Sequence, residues 1–278
     1  YQIKERLGRG GMAEVYLAYQ ENLERHVAIK VMHNFLSGQA SMLPRFKREA
    51  KATASLNHAH IVRVYDFEIF NNDTYFIVME YVSGGTLKDR LEELTKQGRR
   101  MPLAESVRLL KEVSSALAYA HQRNMVHRVI KPANIMLTME DKAVLTDFGI
   151  VKMLENAETA NITATGAMLG TPAYMSPEQA MGQPGDARTD LYSLGVVFYQ
   201  MVTGQLPFNA DTPIAIVMQH VNADPVLPTK LDPTIPESVQ AIILRALSKK
   251  PDQRFGSANQ MAQALSRIQL SDTAYYKP

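Results

Sequence analysis

Residues 75–98 read YFIVMEYVSGGTLKDRLEELTKQG, and the pattern of the chain changes within this stretch. The first half is rich in β-branched and aromatic residues, which favour β-strands, whereas the second half carries apolar residues at helical spacing. Ser-Gly-Gly at 83–85 separates the halves, and clusters of small residues of this kind break regular structure. The stretch therefore predicts a β-rich region before the break and a helical region after it.

Both regions continue the same patterns outward. Five strand-like runs precede the break: YQIKERL (1–7), AEVYLAYQ (13–20), RHVAIKVM (25–32), VRVYDFEIF (62–70) and YFIVMEYV (75–82). One helical insertion, PRFKREAKATASL (44–56), interrupts them. Helices are predicted after the break at 86–98, 103–124, 186–204, 214–221, 236–249 and 258–268. The stretch 156–172 has no periodicity and predicts a mobile loop, and 271–278 predicts a frayed tail.

Composition excludes several classes of function. The chain has 278 residues and is 46% hydrophobic, enough for one large domain or two packed lobes. Its net charge is +2 without a long block of like charge, which argues against nucleic acid as a partner. No cysteine is present, so disulfides and thiolate chemistry are excluded and a cytoplasmic location is favoured. We expect no membrane contact by this segment; because it opens without Met, we expect a domain of a longer protein, whose membrane anchor would lie elsewhere.

Two motifs in the β-rich region suit phosphate binding. GRGGMAEV (8–15) lies between two strand-like runs, where glycines let backbone N–H groups approach phosphate oxygens, although alone it equally fits a plain hairpin. Ala13 stands where such loops often carry a third glycine. VAIK ends at Lys30, and Glu49 follows on the predicted helix. A lone Lys–Glu pair is usually a surface pair, but a lysine on an apolar strand needs a carboxylate partner and can then hold the phosphates of ATP.

Two further motifs lie in the helical region. Asp147 of TDFG (146–149) is a hard oxygen ligand for Mg²⁺, and the alternative is an ordinary turn. HRVIKPAN (127–134) fits the pattern H-R-D-x-K-x-x-N except at Val129, which stands where the pattern has its aspartate. Asn134 supplies a second oxygen ligand, and Lys131 can neutralise charge on a transferring phosphoryl group.

These motifs, followed by GTPAYMSPE, DLYSLGVVFYQMVTGQLPF and DQRF, resemble in type and order the eukaryotic-like (Hanks-type) bacterial Ser/Thr protein kinases. The resemblance implies an α+β, two-lobed fold, with a five-stranded antiparallel sheet and one helix in the N-lobe and a mainly helical C-lobe. It implies an N-lobe at 1–82, a C-lobe at 83–270, a hinge at about 79–84 and an activation segment at 147–178.

The same resemblance implies ATP and Mg²⁺ as cofactors, with Mn²⁺ as a substitute. Met79 would be the gatekeeper, backbone groups of Glu80 and Val82 would bond adenine, and Asn134 and Asp147 would hold the metal. The implied catalytic positions are Val129, Lys131, Lys30 and Asn134. The implied ATP-site residues are Leu7, Gly8, Gly10, Gly11, Val15, Ala28, Lys30, Glu49, Met79, Glu80, Val82, Met136 and Asp147.

The resemblance also implies roles outside the ATP site. Protein substrates carrying Ser or Thr would dock at Thr171, and the chain itself would be one of them, phosphorylated at Thr163 and Thr165, with dimerisation through the small lobe. A phosphothreonine there could pair with Arg128, although a Thr-rich solvated linker is the alternative reading. Glu178 and Arg254 resemble a buried ion pair of the family, and Asp190 resembles the anchor of the catalytic loop.

Val129 raises a question about activity. Valine has no lone pair to receive the substrate proton, and a positioned base contributes about 10²–10⁴-fold to rate. We therefore expect a catalytically inactive or impaired chain that still binds MgATP. Two explanations stay open: an active Ser/Thr kinase carrying one inactivating substitution, or a natural pseudokinase acting as an ATP-binding scaffold. A small-molecule phosphotransferase is disfavoured, because such enzymes lack GTPAYMSPE.

Overall fold

The computed structural model describes residues 1–10, 13–32, 51–70, 74–148 and 172–269. Its first region is a five-stranded antiparallel sheet with the strand order β1-β2-β3-β5-β4. The strands are β1 (Gln2–Arg9), β2 (Ala13–Gln20), β3 (Arg25–Met32), β4 (Val64–Phe70) and β5 (Thr74–Glu80). All five predicted strands are confirmed. Of the predicted helix at 44–56, residues 51–54 are helical, while 44–50 lie outside the described residues.

The second region is mainly helical, as predicted. Its helices are α1 (Leu87–Lys96), α2 (Leu103–His121), α3 (Pro177–Ala180), α4 (Ala187–Thr203), α5 (Pro213–Asn222), α6 (Pro228–Leu231), α7 (Glu237–Ala246) and α8 (Ala258–Ser266). A two-stranded sheet, β6 (Ile135–Leu137) and β7 (Ala143–Leu145), follows α2 in the sequence, and β7 ends two residues before Asp147. The predicted tail and residues 149–171 lie outside the described part of the chain.

Helix α4 forms the centre of the helical lobe. Its residues from Thr189 to Tyr199 are buried, and it packs against α2 and α7. Asp186 caps its first turn by accepting a hydrogen bond from the Arg188 N–H, and Gly204 ends it with a φ of 74°. A helix with this burial has little freedom to shift, so it offers a fixed base for the loops that contact it.

The connection between the lobes depends on a close backbone approach at Gly84. The N–H of Leu137 donates to the carbonyl of Gly85 at 3.0 Å, which brings the connection against β6. A Cβ at position 84 would overlap the carbonyl oxygen of Leu137 and lie 2.7 Å from that of Thr138. Backbone carbonyls cannot turn aside as a flexible side chain can, so position 84 requires glycine.

Replacing Gly84 should therefore destabilise the fold. We expect Gly84→Ala to lower the unfolding free energy by about 1–3 kcal/mol, the usual cost of overpacking. Thermal unfolding followed by circular dichroism measures the effect, with Gly8→Ala as the control, because a Cβ there meets nothing within 4 Å. Equal melting temperatures for the two variants would contradict the prediction.

Candidate active site

A partly buried ion pair between Lys30 and Asp147 lies where the sheet meets the helical lobe. Strand β3 carries Lys30, which is paired with Val15 on β2 and with Ile77 on β5. The Lys30 Nζ lies 2.8 Å from Oδ1 of Asp147, and the two side chains are 12% and 26% exposed. The sequence predicted Glu49 as the partner of Lys30; Glu49 lies outside the described residues.

The electrostatics of this pair favour an ionised carboxylate. Burial alone would raise the pKa of Asp147, but the charge and hydrogen bond of Lys30 outweigh it, helped by the charge of Lys131, and the pKa is lowered. Burial lowers the pKa of the Lys131 ammonium, and Asp147 opposes that effect. Two ammonium groups thus share the neighbourhood of one carboxylate, which suits a site that receives an anionic ligand.

The backbone turn at Asp147 places the Asp147 and Phe148 side chains in different surroundings. Asp147 has a φ of 68°, in the left-handed region that aspartate tolerates better than most residues. Phe148 is 2% exposed within the helical core, and its ring lies 4.6 Å from the ring of His127. Thr53 Oγ1 donates to the carbonyl of Phe148 at 3.2 Å. Burial of Phe148 therefore fixes the turn that presents Asp147 to Lys30.

The loop at 127–134 is anchored by Asp190 of α4, as expected from the sequence. The fully buried Asp190 carboxylate accepts hydrogen bonds from the backbone N–H groups of His127 and Arg128, at 2.8 and 2.7 Å. It also lies 2.8 Å from His121 Nε2. Arg128 has a φ of 70°, so these bonds hold the loop in a backbone conformation that is costly for a non-glycine residue.

His127 links this loop to the segment that precedes Asp147. Its Nε2 lies 2.7 Å from the carbonyl of Thr146, and its Nδ1 lies 3.3 Å from the Val129 nitrogen. Burial lowers the pKa of His127, so the ring is neutral, with the proton on Nε2 and Nδ1 accepting from the Val129 N–H. The sequence motif HRVIKPAN predicted no role for His127, because a single buried histidine leaves no periodic signal in a sequence.

Asn134 and Val129 are neighbours within the loop. The Asn134 Nδ2 donates to the Val129 carbonyl at 2.9 Å, which orients the amide and leaves Oδ1 as its acceptor. The Asn134 carbonyl accepts from Thr146 N at 3.0 Å. A carboxylate held ionised at Asp147 and an amide oxygen at Asn134 are hard donors that fit Mg²⁺ or Mn²⁺. Val129 contributes only backbone bonds and an isopropyl group.

Five of the predicted ATP-site residues belong to one apolar cluster or pack against it. Ala28, Met79 and Val82 are buried in it, and Val15 and Met136 pack against it. The Glu80 N–H donates to the Arg63 carbonyl at 2.9 Å, so a bond from Glu80 to adenine would have to use its carbonyl.

The predicted phosphate loop adjoins this cluster. Gly8 lies near the end of β1, and the Gly10 N–H donates to the Ala13 carbonyl at 2.8 Å across the turn. Leu7 is 43% exposed, and Gly11 lies outside the described residues.

The predicted buried ion pair between Glu178 and Arg254 is present in the helical lobe. Arg254 Nη1 and Nη2 donate to the two carboxylate oxygens of Glu178 at 2.7 Å each, and Thr189 Oγ1 donates to the same carboxylate at 2.7 Å. Glu178 lies in the first turn of α3, and two residues separate α3 from Pro172–Tyr174, the described part of the predicted docking segment. The predicted sites Thr163, Thr165 and Thr171 lie outside the described residues.

Two lobes that meet at a Lys–Asp pair, with an asparagine-bearing loop anchored below it, are the arrangement of a protein kinase domain. The family model described as protein kinase domain matches residues 1–266, and the chain belongs to this family.

Named relatives narrow the class to bacterial Ser/Thr kinases. The chain is 43% identical to serine/threonine-protein kinase PksC of Streptomyces coelicolor, over 98% of this chain and 49% of that protein. It is 42% identical to serine/threonine-protein kinase PknB of Mycolicibacterium smegmatis, over 96% of this chain and 43% of that protein. The chain thus spans less than half the length of these relatives.

Solved structures agree on the fold. The crystal structure of the Mycobacterium tuberculosis PknI kinase domain superposes with a TM-score of 0.74 at 28% identity, over 96% of this chain and 95% of that one. None of the helices in the described ranges combines the length and apolarity needed to cross a bilayer.

Proposed function

We propose that this Ser/Thr protein kinase domain binds ATP with Mg²⁺ and that Val129 leaves it without the base for phosphoryl transfer. The observation that carries the proposal is the Lys30–Asp147 pair, 2.8 Å apart at the edge of the apolar cluster of Ala28, Met79 and Val82. An apolar cluster beside a charged pair suits a ligand that has an aromatic base at one end and phosphates at the other.

Each residue has a separable task. Lys30 binds phosphate oxygens, the Gly-rich loop between β1 and β2 offers backbone N–H groups to them, and Lys131 counters charge on the phosphoryl group. Asp147 and Asn134 hold the metal ion. That ion, when bound, neutralises charge on the phosphates. The Val129 side chain, which has no lone pair, can neither orient a hydroxyl nor accept its proton.

The acceptor would be a Ser or Thr hydroxyl of a protein, docked at Thr171 and the segment after it. The names of the relatives support this substrate class, and Thr163 and Thr165 would be the acceptors within the chain itself, reached in a second copy that associates through the small lobe. The domain would act in the cytoplasm in signal transduction, with any membrane anchor in another part of the protein.

A natural pseudokinase is the second candidate, and Val129 itself favours it. A module that works by binding keeps Lys30 and Asp147 but has no need of Lys131.

The structure has Lys131 beside Asp147 and Asn134 oriented on the Val129 carbonyl, so the surroundings of the missing base are intact. This arrangement supports the reading of an active kinase with one lesion.

Binding of MgATP tests the proposal directly. We expect isothermal titration calorimetry to detect MgATP binding to the chain, and Lys30→Met to weaken it more than tenfold, because a hydrogen bond to a charged group is worth about 1.5–3 kcal/mol. Lys96→Met, on the exposed last turn of α1, is the matched control and should bind as the parent does. Chelation of Mg²⁺ should also weaken ATP binding. Absence of MgATP binding to the parent would refute the proposal.

A further inference from the structure

Helix α5 packs with its inner side against the docking segment. It contacts Pro172–Tyr174 and α3, and its buried residues are Val217 and His220. Ile214 and Met218, on the outer side, are 71% and 53% exposed. The helix therefore lies between the outer surface of the lobe and the segment that would receive a protein substrate.

His220 is fully buried and is fixed on several sides. The Tyr192 hydroxyl lies 2.9 Å from its Nδ1, and the Phe208 ring meets it edge-on at 4.8 Å. Lys249 Nζ donates to the His220 carbonyl at 2.9 Å and lies 4.3 Å from the centre of the Phe208 ring. These contacts leave the imidazole little rotational freedom.

The other ring nitrogen of His220, Nε2, is buried without a hydrogen-bond partner among the described residues. Burial lowers the pKa of His220 to about 4, Lys249 acts in the same direction, and the Ala173 carbonyl opposes them. The ring is therefore neutral at physiological pH. If Nδ1 accepts from the Tyr192 hydroxyl, the proton lies on Nε2, which is buried and meets no hydrogen-bond partner in the described part of the chain. The nearby Ala173 carbonyl is then its natural acceptor.

The docking segment has two further supports, both on α4. Ser193 Oγ donates to the Tyr174 carbonyl at 2.7 Å, and the Tyr174 hydroxyl donates to Gln200 Oε1 at 2.7 Å. Both supports act at Tyr174. Ala173 is 6% exposed, and α5 contacts Pro172–Tyr174 as α4 does, so a group on α5 can hold Ala173.

We propose that His220 is a positioning residue that holds the docking segment at Ala173 and thereby sets the affinity for protein substrates without affecting ATP. This inference deepens the proposed function and rests on it, because the segment docks a substrate only if the domain is a kinase. The conservative variants separate the two ring nitrogens. The longer side chain of His220→Gln can place a donor where Nε2 lies. The shorter side chain of His220→Asn reaches only the position of Nδ1, where its Oδ1 can accept from Tyr192.

Hydrogen–deuterium exchange on the chain as it stands gives a readout independent of activity. We expect His220→Phe and His220→Asn to speed exchange at the amides of Met175 and Ser176 about fivefold, the effect of losing one ordinary hydrogen bond. His220→Gln should restore slower exchange, and α4 should be unaffected in all three. Val217→Ala, a buried truncation on the same helix, is the control for general loosening of α5. Equal exchange in His220→Phe and the parent, or equal acceleration in Val217→Ala, would overturn the proposal.

Kinetics give the second readout. The enzyme carries Val129→Asp, and the unmodified chain is its protein substrate, since it is not expected to phosphorylate itself. His220→Phe in the enzyme copy should raise KM for the protein substrate about fivefold and leave KM for ATP unchanged. Equal rises in both KM values would contradict a positioning role. If Val129→Asp transfers no phosphate even with His220 intact, the activity assigned to the domain is wrong, and the exchange experiment still decides what His220 does.

Discussion

Val129→Asp should raise the rate of phosphoryl transfer by about 10²–10⁴-fold, the usual contribution of a positioned base. The backbone N–H and carbonyl of residue 129 are already bonded to His127 and Asn134, so a new side chain enters a loop whose shape is set by other groups. Intact-mass spectrometry after incubation with MgATP measures the gain, on phosphatase-treated parent and variant. We expect phosphates on Thr163 or Thr165 of the variant and none on the parent.

Val129→Asn is the matched control for this experiment. Asparagine has nearly the size of aspartate and can orient a hydroxyl, but it is not basic, so it should recover little of the rate. Phosphorylation of the aspartate variant alone would identify Val129 as the single defect of an active kinase. Failure of all three proteins to gain phosphate, although they bind MgATP, would favour the pseudokinase.

Arg254→Met should destabilise the helical lobe by about 3–5 kcal/mol, the cost of leaving a buried charge unpaired. Arg254 is 2% exposed, and besides Glu178 it donates to the carbonyls of Ser248, Arg188 and Lys249. Its loss would leave the Glu178 carboxylate and three carbonyl groups without the donor that they share. Chemical denaturation followed by circular dichroism measures the loss.

A lower pH should reduce the difference in unfolding free energy between the parent and Arg254→Met. Burial would raise the pKa of Glu178, but the hydrogen bond from Arg254 and its other partners lower it below the ordinary 4.5. A carboxylate with a lowered pKa stabilises the fold above the unfolded value and loses that contribution as the pH falls through the folded value. The parent should therefore lose stability below about pH 4.5, while the variant, whose Glu178 protonates more readily, should lose less.

Arg188→Met provides the comparison for an exposed pair. Arg188 and Asp186 are 35% and 56% exposed, and pairs of this kind contribute about 0–1 kcal/mol. Double replacement by Glu178→Leu and Arg254→Met should recover part of the stability lost in the single variant, because no buried charge remains. A loss below 1 kcal/mol in Arg254→Met would show that water replaces the arginine at little cost.

The sheet and the long helices could be predicted from local pattern. Strands β1 to β5 combine β-branched and aromatic runs with clear breaks, and the apolar spacing of α2 and α4 indicated their positions. Strand β7 lies within KAVL (142–145), which is strand-like in sequence, whereas β6, with three residues, is too short to show a period. The prediction for 236–249 extended past the end of α7 at Ala246, since Leu247, Ser248 and Lys249 are not helical.

The site was only partly predictable, because its contacts join distant parts of the chain. Lys30 and Asp147 were both named, but their direct bond depends on the left-handed turn at Asp147 and on burial of Phe148. His127 and His220 act through buried rings. Nothing in their sequence neighbourhoods distinguishes such a ring from an ordinary core histidine.

The backbone anchoring of the 127–134 loop by Asp190 has a consequence for how activity can be lost and regained. Asp190 accepts its hydrogen bonds from the backbone N–H groups of His127 and Arg128. These bonds therefore do not depend on which side chain follows Arg128. Some valine and aspartate codons differ by one nucleotide, so a lineage could pass between the two residues in one mutation without refolding the loop. The exchange between valine and aspartate at position 129 would then be reversible by a single base change.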